Sequence, residues 1–464
     1  MKVNSFVKHI LKNFLKLLLI FKGRLLILML VGYFGIDYYN NAPFMDSLGG
    51  VSDAAHEEYG PRERQSFPVT IIEIDEASLK QVGQWPWPRN ITAELIMATG
   101  SYNPLAIALD FYMPEPDQTS PSVIAKNLPP GYEDIAEELS KLPTNEDILA
   151  EALLSTPSIL GAAGFNFETM TTSKGMRVIP PVSVGGDATP FVRQFPYVLA
   201  SLPQLQAAAY SQSLLSVDAD ADSGLVRYIP LVSSINEDQL VPSMAFETLR
   251  VATEMGLPED QNAMVELHVK DYGIDTFKIG EIERKIQPDG KIWLHFAEAD
   301  TRRYLSAVDV LEGNIDPAMI ENKLILLSLS GAGLTDYRGT PLGEYVPGIE
   351  IQAQVIESLL DDDFIIRPWW LKTVELVTLV SVGLFMVVFV PKMNEVLAFG
   401  MTLAFDFVVV NTGIILFDSH KILLDSDTLT ECWILIFTIF EVCLLLHSKY
   451  IEPDNQSTAE LSGA

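Results

Sequence analysis

The stretch Val69-Thr70-Ile71-Ile72-Glu73-Ile74-Asp75-Glu76-Ala77-Ser78-Leu79 decides how the chain folds. Its first half is β-branched and carries no charge before Glu73. A run of this kind suits a strand buried on both faces. Three more runs resemble it: 105–111 (Leu-Ala-Ile-Ala-Leu-Asp-Phe), 158–162, and 324–329 (Leu-Ile-Leu-Leu-Ser-Leu). Helical patterns lie over 90–99, 133–142 and 147–155. That alternation predicts βαβ units and an α/β domain with a mainly parallel sheet. Segments 224–233 and 291–296 read as antiparallel additions, and 348–360 reads as a helix leading toward a membrane.

Working outward, the 464 residues are 48% hydrophobic with a mean hydropathy of +0.22, yet the net charge is −30. One well-mixed globule rarely combines the two, so the apolar and acidic parts are expected to be segregated. Residues 1–40 hold six basic side chains and one acid, and residues 367–464 hold five basic and eleven acidic. Residues 41–366 hold 20 basic and 49 acidic, so nearly all the imbalance sits there. Such a composition excludes a wholly disordered chain, which needs low hydrophobicity. It also argues against nucleic-acid binding, which needs a basic surface. The acidity itself reads as solubility or adaptation to salt. Both cysteines, Cys432 and Cys443, fall in an apolar segment, so the acidic domain depends on its core and not on disulfides.

A bilayer-spanning helix needs about 20 mostly apolar residues. Four stretches are expected to qualify: 17–38, 371–390, 396–417 and 432–446, the last beginning nearer 429. No small-x-small cleavage site follows the first stretch, which therefore reads as an uncleaved anchor. The basic N-terminus stays inside by the positive-inside rule, and the acidic domain is then exported. The loop with Lys392 and the segment His447-Ser448-Lys449 fall inside, and the acid-rich loop 418–431 falls outside. The organisation expected is a basic N-terminus and first helix (1–40), an exported domain (41–366), three helices (367–449) and a short polar tail (450–464).

Five motifs then occur in order over about 70–360. They are Ile74-Asp75-Glu76-Ala77-Ser78-Leu79 with Gly83-Gln84-Trp85-Pro86-Trp87-Pro88-Arg89; Ala108-Leu109-Asp110-Phe111 with Pro114-Glu115-Pro116-Asp117; Asp220-Ala221-Asp222-Ser223-Gly224 with Arg227 and Pro230; Ile325-Leu326-Leu327 through Gly331, Asp336 and Thr340-Pro341; and Pro347-Gly348-Ile349-Glu350-Ile351-Gln352-Ala353. Together they resemble CHASE2 domains, the exported sensory domains of bacterial signalling proteins. The third departs from the family's pattern, because Ser223 stands before the glycine. The resemblance implies one N-terminal helix, the domain and three further helices. Members usually continue into a cytoplasmic output domain, commonly a cyclase or kinase, whereas about 15 residues follow the last helix here. The resemblance therefore implies either a stand-alone sensor acting through a partner or a truncated chain.

Several residues are candidates for a site. Asp75 and Glu76 end one strand and Asp110 ends the next run, where parallel sheets place ligands. Carboxylates at neighbouring strand ends could hold a cation or polar ligand; alternatively Asp75 caps a helix and Asp110 bonds loop amides. Two prolines make Trp85-Pro86-Trp87-Pro88-Arg89 rigid. The tryptophans either line an apolar site with Arg89 taking an anion, or plug the sheet with Arg89 paired to a carboxylate such as Asp110. Asp336 belongs to the loop after 324–329. That loop lacks the helix start and lysine of a phosphate cradle, and Ser330 has no histidine base nearby in sequence. Asp218, Asp220 and Asp222 alternate like the first half of a calcium loop. The glycine comes at the seventh position, however, and Ile229 stands at the twelfth, so a turn accounts for them too. Asp406 and Glu441 lie inside apolar spans, where a carboxylate is costly. They either share a proton or hydrogen-bond as neutral acids across a helix pair. Glu375, near the outer end of its span, is expected to be wetted.

The expected function is a membrane-anchored extracytoplasmic sensor in the bacterial inner membrane, with its large domain in the periplasm or outside. It would bind a small ligand or an envelope partner and relay the event through its helices to a separate cytoplasmic signalling protein. A homodimer remains open. The alternative is an envelope assembly protein that docks other proteins through the exported domain. No triad, metal cluster, cofactor motif or activated cysteine points to an enzyme.

Overall fold

The computed structural model describes residues 23–40, 60–215, 224–258 and 261–450. They form two compact units, one over Gly60–Ile366 and one from the segments on either side. The second unit includes the first described helix, α1 (Arg24–Tyr39).

Within Gly60–Ile366 the principal elements run β1 (Val69–Ile74), α2 (Glu76–Val82), α3 (Arg89–Gly100), β2 (Ala106–Leu109), α4 (Asn145–Leu154), β3 (Ser158–Phe165), β4 (Tyr197–Leu199), β5 (Ser211–Leu214), α5 (Met244–Met255), β6 (Tyr304–Ser306), α6 (Ala307–Glu312), β7 (Leu324–Leu329) and α7 (Gly348–Asp361). The main sheet has the order β6-β1-β7-β2-β3, and β3 pairs further with β4 and β5. Every pairing is parallel except β3 with β4. The last strand of this sheet along the chain, β7, is thus inserted between the first two. Its register is Val69 to Leu324 on one side and Ala106 to Leu324 on the other.

The apolar runs have no polar face because both faces are covered. Ile71, Ala106, Ala108, Leu324 and Leu326 pack on one side against Phe246 and Leu249 of α5 and Ile356 and Leu359 of α7. Their neighbours Ile72, Ile74, Ile107, Leu109, Ile325 and Leu327 pack on the other with Trp87, Leu95, Ile96, Leu149 and Leu153. Successive side chains of a strand point to opposite layers, so each needs an apolar residue. The segments expected as antiparallel additions do pair antiparallel, Tyr228–Pro230 with Lys291–Trp293, but with each other and apart from the main sheet.

Helix α7 is buried along nearly its whole length, its polar residues Glu350, Gln352, Gln354 and Glu357 included. The two acids and Asp361 meet arginines from two distant segments. Arg62 reaches Glu357 at 3.3 Å and Asp361 at 3.0 Å, and Arg64 reaches Glu350 at 3.1 Å and Glu357 at 3.2 Å. Arg303 reaches Glu357 at 2.6 Å, while the hydroxyls of Tyr304 and Ser66 donate to Glu350 and Asp361. Where the chain enters this unit it is therefore tied to the helix by which it leaves.

The other unit holds α8 (Leu371–Phe389), α9 (Glu395–His420) and α10 (Ser426–Tyr450). Among the described residues three helices are long and apolar enough to cross a membrane, not the four expected. The N-terminal stretch is described only as α1, whose 16 residues rise about 24 Å, short of the ~30 Å hydrocarbon layer. Residues 17–22 of the expected span, the basic residues before them and the tail from 451 lie outside the described residues. One face of α1 (Ile27, Val31, Phe34, Tyr38) packs into the same cluster as Leu379, Met386, Trp433 and Phe440. Gly383 makes room for it, since a Cβ there would sit 2.6 Å from Val31. Glu375 is not wetted as expected. It is fully buried, takes the Tyr38 hydroxyl at 2.6 Å and Arg367 at 2.8 Å, and accepts the Asp425 amide at 2.9 Å. The expected outer loop shrinks to residues 421–425, because α9 and α10 run further than their apolar cores.

Glu357 is the acid shared by all three arginines. Replacing it with alanine takes the close partner from Arg303 and leaves three buried guanidinium groups sharing Glu350 and Asp361, and is expected to cost about 3–5 kcal/mol. Thermal unfolding of the full chain in detergent reads this as a clear fall in midpoint. An unchanged midpoint would show that the network contributes nothing.

Candidate functional site

Parallel strands end at one edge of their sheet, and the loops leaving that edge must splay apart. Beyond the carboxyl ends of β2, β3 and β7 they leave a cavity of about 520 Å³. Asp110 and Tyr112 follow β2, Ala163 and Gly164 belong to β3, and Ser328 and Leu329 close β7. Arg193, Phe195, Leu215 and the loop with Asp336 and Arg338 add further walls. The last wall is the start of α7, with Gly348, Ile349 and Gln352. Open α/β sheets commonly bind ligands at this edge. Gly164 allows Phe195 its place, since a Cβ there would come 2.4 Å from the ring.

The lining carries charges of both signs. Burial pushes the Asp110 carboxyl up to about 7; the charge of Asp336 acts the same way, and the Ser328 hydroxyl, donating at 3.2 Å, opposes it. Asp336 is held by Arg338 at 2.7 Å, and the Arg193 guanidinium lies 4.6 Å from the centre of the Phe195 ring. Gln352 is 1% exposed. Its Oε1 accepts the Ala245 amide at 3.2 Å, while its Nε2 has no partner among the described residues. A buried amide nitrogen without a partner costs roughly 1–3 kcal/mol. No side chain caps the N-terminus of α7, and the Gly348 amide donates to the Asp336 carbonyl at 2.9 Å.

Of the residues singled out from sequence, only Asp110 and Asp336 line this cavity among the described residues. Asp75 and Asp110 are not on neighbouring strands, because β7 lies between β1 and β2. Asp75 caps α2. It accepts the Ser78 amide at 2.9 Å, the Ser78 hydroxyl at 2.7 Å and the Ser306 hydroxyl at 2.8 Å. Burial raises its pKa, but these hydrogen bonds outweigh burial and hold it below the usual range. Glu76 is exposed and accepts the Ala332 amide. Trp87 is buried, with its indole donating to the Gly83 carbonyl at 2.8 Å, and Trp85 meets the Phe111 ring edge-on at 5.0 Å. The tryptophans thus plug the sheet. The backbone amide of Arg89 binds Asp117 at 2.7 Å, and the charges that favour its guanidinium are Asp117 and Glu146, not Asp110. Asp218, Asp220 and Asp222 lie outside the described residues. Neither carboxylate oxygen of Asp406 has a partner, and Glu441 lines a shallow recess with Glu395 and Asn394. Glu395 precedes Asp406 on α9 by about 16 Å of helix, and no hydrogen bond joins Asp406 to Glu441 among the described residues.

Arg193 and Gln352 were missed. Arg193 stands in no motif. Gln352 stood inside Pro347–Ala353, where polar residues interrupt an apolar helix, and that interruption was the available signal. Among the described residues no three His, Cys, Asp or Glu side chains are grouped to hold a metal.

A sequence model described as the CHASE2 domain matches residues 27–389. No curated protein and no solved structure matches the chain.

Asp75→Ala removes a cap and is expected to cost ~1–2 kcal/mol in thermal unfolding without altering the cavity. Asp110 gives a pH-dependent result. The folded chain holds its proton, and the unfolded chain releases it, between pH 3.8 and about 7. Its contribution is present below that window and is lost as pH rises through it. Asp110→Asn should therefore melt higher than the parent at pH 8, with the difference closing toward pH 4. A difference independent of pH would refute the raised carboxyl.

Proposed function

This chain belongs to the CHASE2 family, and from that membership and the cavity we propose that it is a multi-pass sensor of the bacterial cytoplasmic membrane. CHASE2 domains are extracytoplasmic sensory domains, and the three apolar helices at the C-terminal side suit a membrane anchor. In the proposed arrangement the domain lies outside, α8 runs inward, α9 outward and α10 inward. Charge at the inner ends agrees, with Lys392 between α8 and α9 and Lys449 at the end of α10.

Gln352 carries the reading. It presents a buried, unpartnered donor beside a cavity, on the helix by which the chain leaves the domain. A ligand acting on the first turn of α7 has a path outward, because the acids of that helix hold Arg62 and Arg64 where the chain enters. The ligand shifts the arrangement only by its differential affinity for two states. The receiver would be a separate cytoplasmic signalling protein.

A docking role for envelope partners is the second reading. It draws on the hairpin of Tyr337–Gly339 and Tyr345–Pro347 beside the cavity, whose Tyr337 and Tyr345 are 58% and 77% exposed.

The test is a metabolite and envelope-fragment screen by thermal shift on the full chain in lipid nanodiscs. A ligand at about a hundredfold its Kd should stabilise by ~2.7 kcal/mol. Gln352→Ala should abolish the shift, whereas Arg62→Ala should keep binding and lose any ligand-induced change reported by labels on the membrane helices. Ligands that stabilise Gln352→Ala equally well would remove the cavity from the reading. Abundant crosslinks from position 345 to envelope proteins, with no small-molecule response, would favour docking.

A further inference from the structure

We propose that the cavity takes a small zwitterion, an amino acid or short peptide, its ammonium on Asp110 and its carboxylate on Gln352 and the open N-terminus of α7. This rests on the sensor reading above and narrows its ligand to a class.

The argument is one of unmet partners. Among the described residues Asp110 receives a single side-chain hydrogen bond, from Ser328, although a carboxylate can accept about four. Asp336 adds a second negative charge nearby but is engaged by Arg338. A ligand ammonium beside Asp110 would supply both the countercharge and the missing donors. The acceptors that the cavity asks for lie at α7. Gln352 offers two amide hydrogens with no partner among the described residues and is 99% buried. The first turn of α7 has no side-chain cap, and a 14-residue helix carries about half a positive charge at that end. Arg193 adds a full positive charge to the lining.

Each simpler class leaves one set unmet. An amine alone would bring positive charge to the helix N-terminus and arginines and leave Gln352 unpaired. An acid alone would face Asp110 and Asp336. A neutral sugar gives Asp110 no countercharge. The lining has two acids and two arginines, so a ligand of zero net charge preserves the balance. Phe195, Leu215 and Ile349 provide apolar wall for a side chain, and 520 Å³ has room for more than a single residue.

The experiment uses the full chain in nanodiscs, with thermal shift and calorimetry. The probes are the twenty L-amino acids, a set of their dipeptides, and for each hit the amine and the acid of the same side chain. At least one zwitterion should bind, with its amine and acid each weaker by about tenfold or more, roughly 1.4 kcal/mol. Asp110→Asn should weaken the zwitterion and the amine but not the acid, and Gln352→Ala the zwitterion and the acid but not the amine. Ser328→Ala, a milder change beside Asp110, should follow Asp110→Asn if that variant folds poorly. Comparing N-acetylated and C-amidated dipeptides with free amino acids separates the two sources. An amine or acid that binds as tightly as the zwitterion overturns the proposal. So does tight binding of a sugar or nucleotide that Gln352→Ala abolishes, although the sensor reading then survives. If nothing in any class binds, both fall.

Discussion

Three arginines and three acids removed from water hold the exported unit together at its ends. Arg62 and Arg64 come from its beginning, Arg303 from just before β6, and Glu350, Glu357 and Asp361 from α7 near its end. Burying one such ion costs several kcal/mol, so the group is stable only while every member keeps its partners. That makes the network cooperative and α7 hard to displace alone. Residues some 290 positions apart in sequence become neighbours, and the two ends of the unit act as one element.

The same helix supplies a wall of the cavity, and this gives the network a consequence beyond stability. At one end of α7 lie Gln352 and a first turn without a side-chain cap, where Glu350 already joins the network; Glu357 and Asp361 join it further along. A rigid helix cannot move at one end alone, so the cavity wall and the arginines share one element. The parallel sheet contributes the fixed frame. Apolar on both faces, it resists deformation, whereas the loops beyond its carboxyl edge carry the polar groups.

Much of this was legible in the residues. The runs at 69–74 and 324–329 became strands with those same bounds, because double burial leaves no polar position to blur them. Helices expected over 90–99 and 348–360 appear as α3 and α7 with ends shifted by a residue or less. Asp110 and Asp336 were recognised from motif position. Most of the errors concern partners. Asp75 and Asp110 looked like neighbours because they follow consecutive early runs, but β7, the last strand of the sheet along the chain, separates them. Arg89 binds Asp117 through its backbone amide, and the charges acting on its guanidinium are those of Asp117 and Glu146, which a linear reading had no means of choosing over Asp110. Glu375 looked wetted from its place near the end of an apolar stretch, yet Tyr38, Arg367 and the Asp425 amide enclose it. Among the described residues three helices, not four, are long and apolar enough to cross a membrane, and the first stretch is described only as the 16 residues of α1.

The amino-acid sequence by itself determined the class of fold, the separation of an acidic domain from apolar helices, and the family. Those follow from local composition, periodicity and ordered motifs, which need no knowledge of what touches what. Tertiary structure alone decided the strand order, the pairing of buried charges and which candidate residues share a cavity. A buried ion or amide is satisfied by whatever the fold brings within about 3 Å, and that distance has no counterpart along the chain. Gln352 shows the difference. Its place in a motif could be read from sequence, but that it lines the cavity with its amide nitrogen unpartnered among the described residues could not.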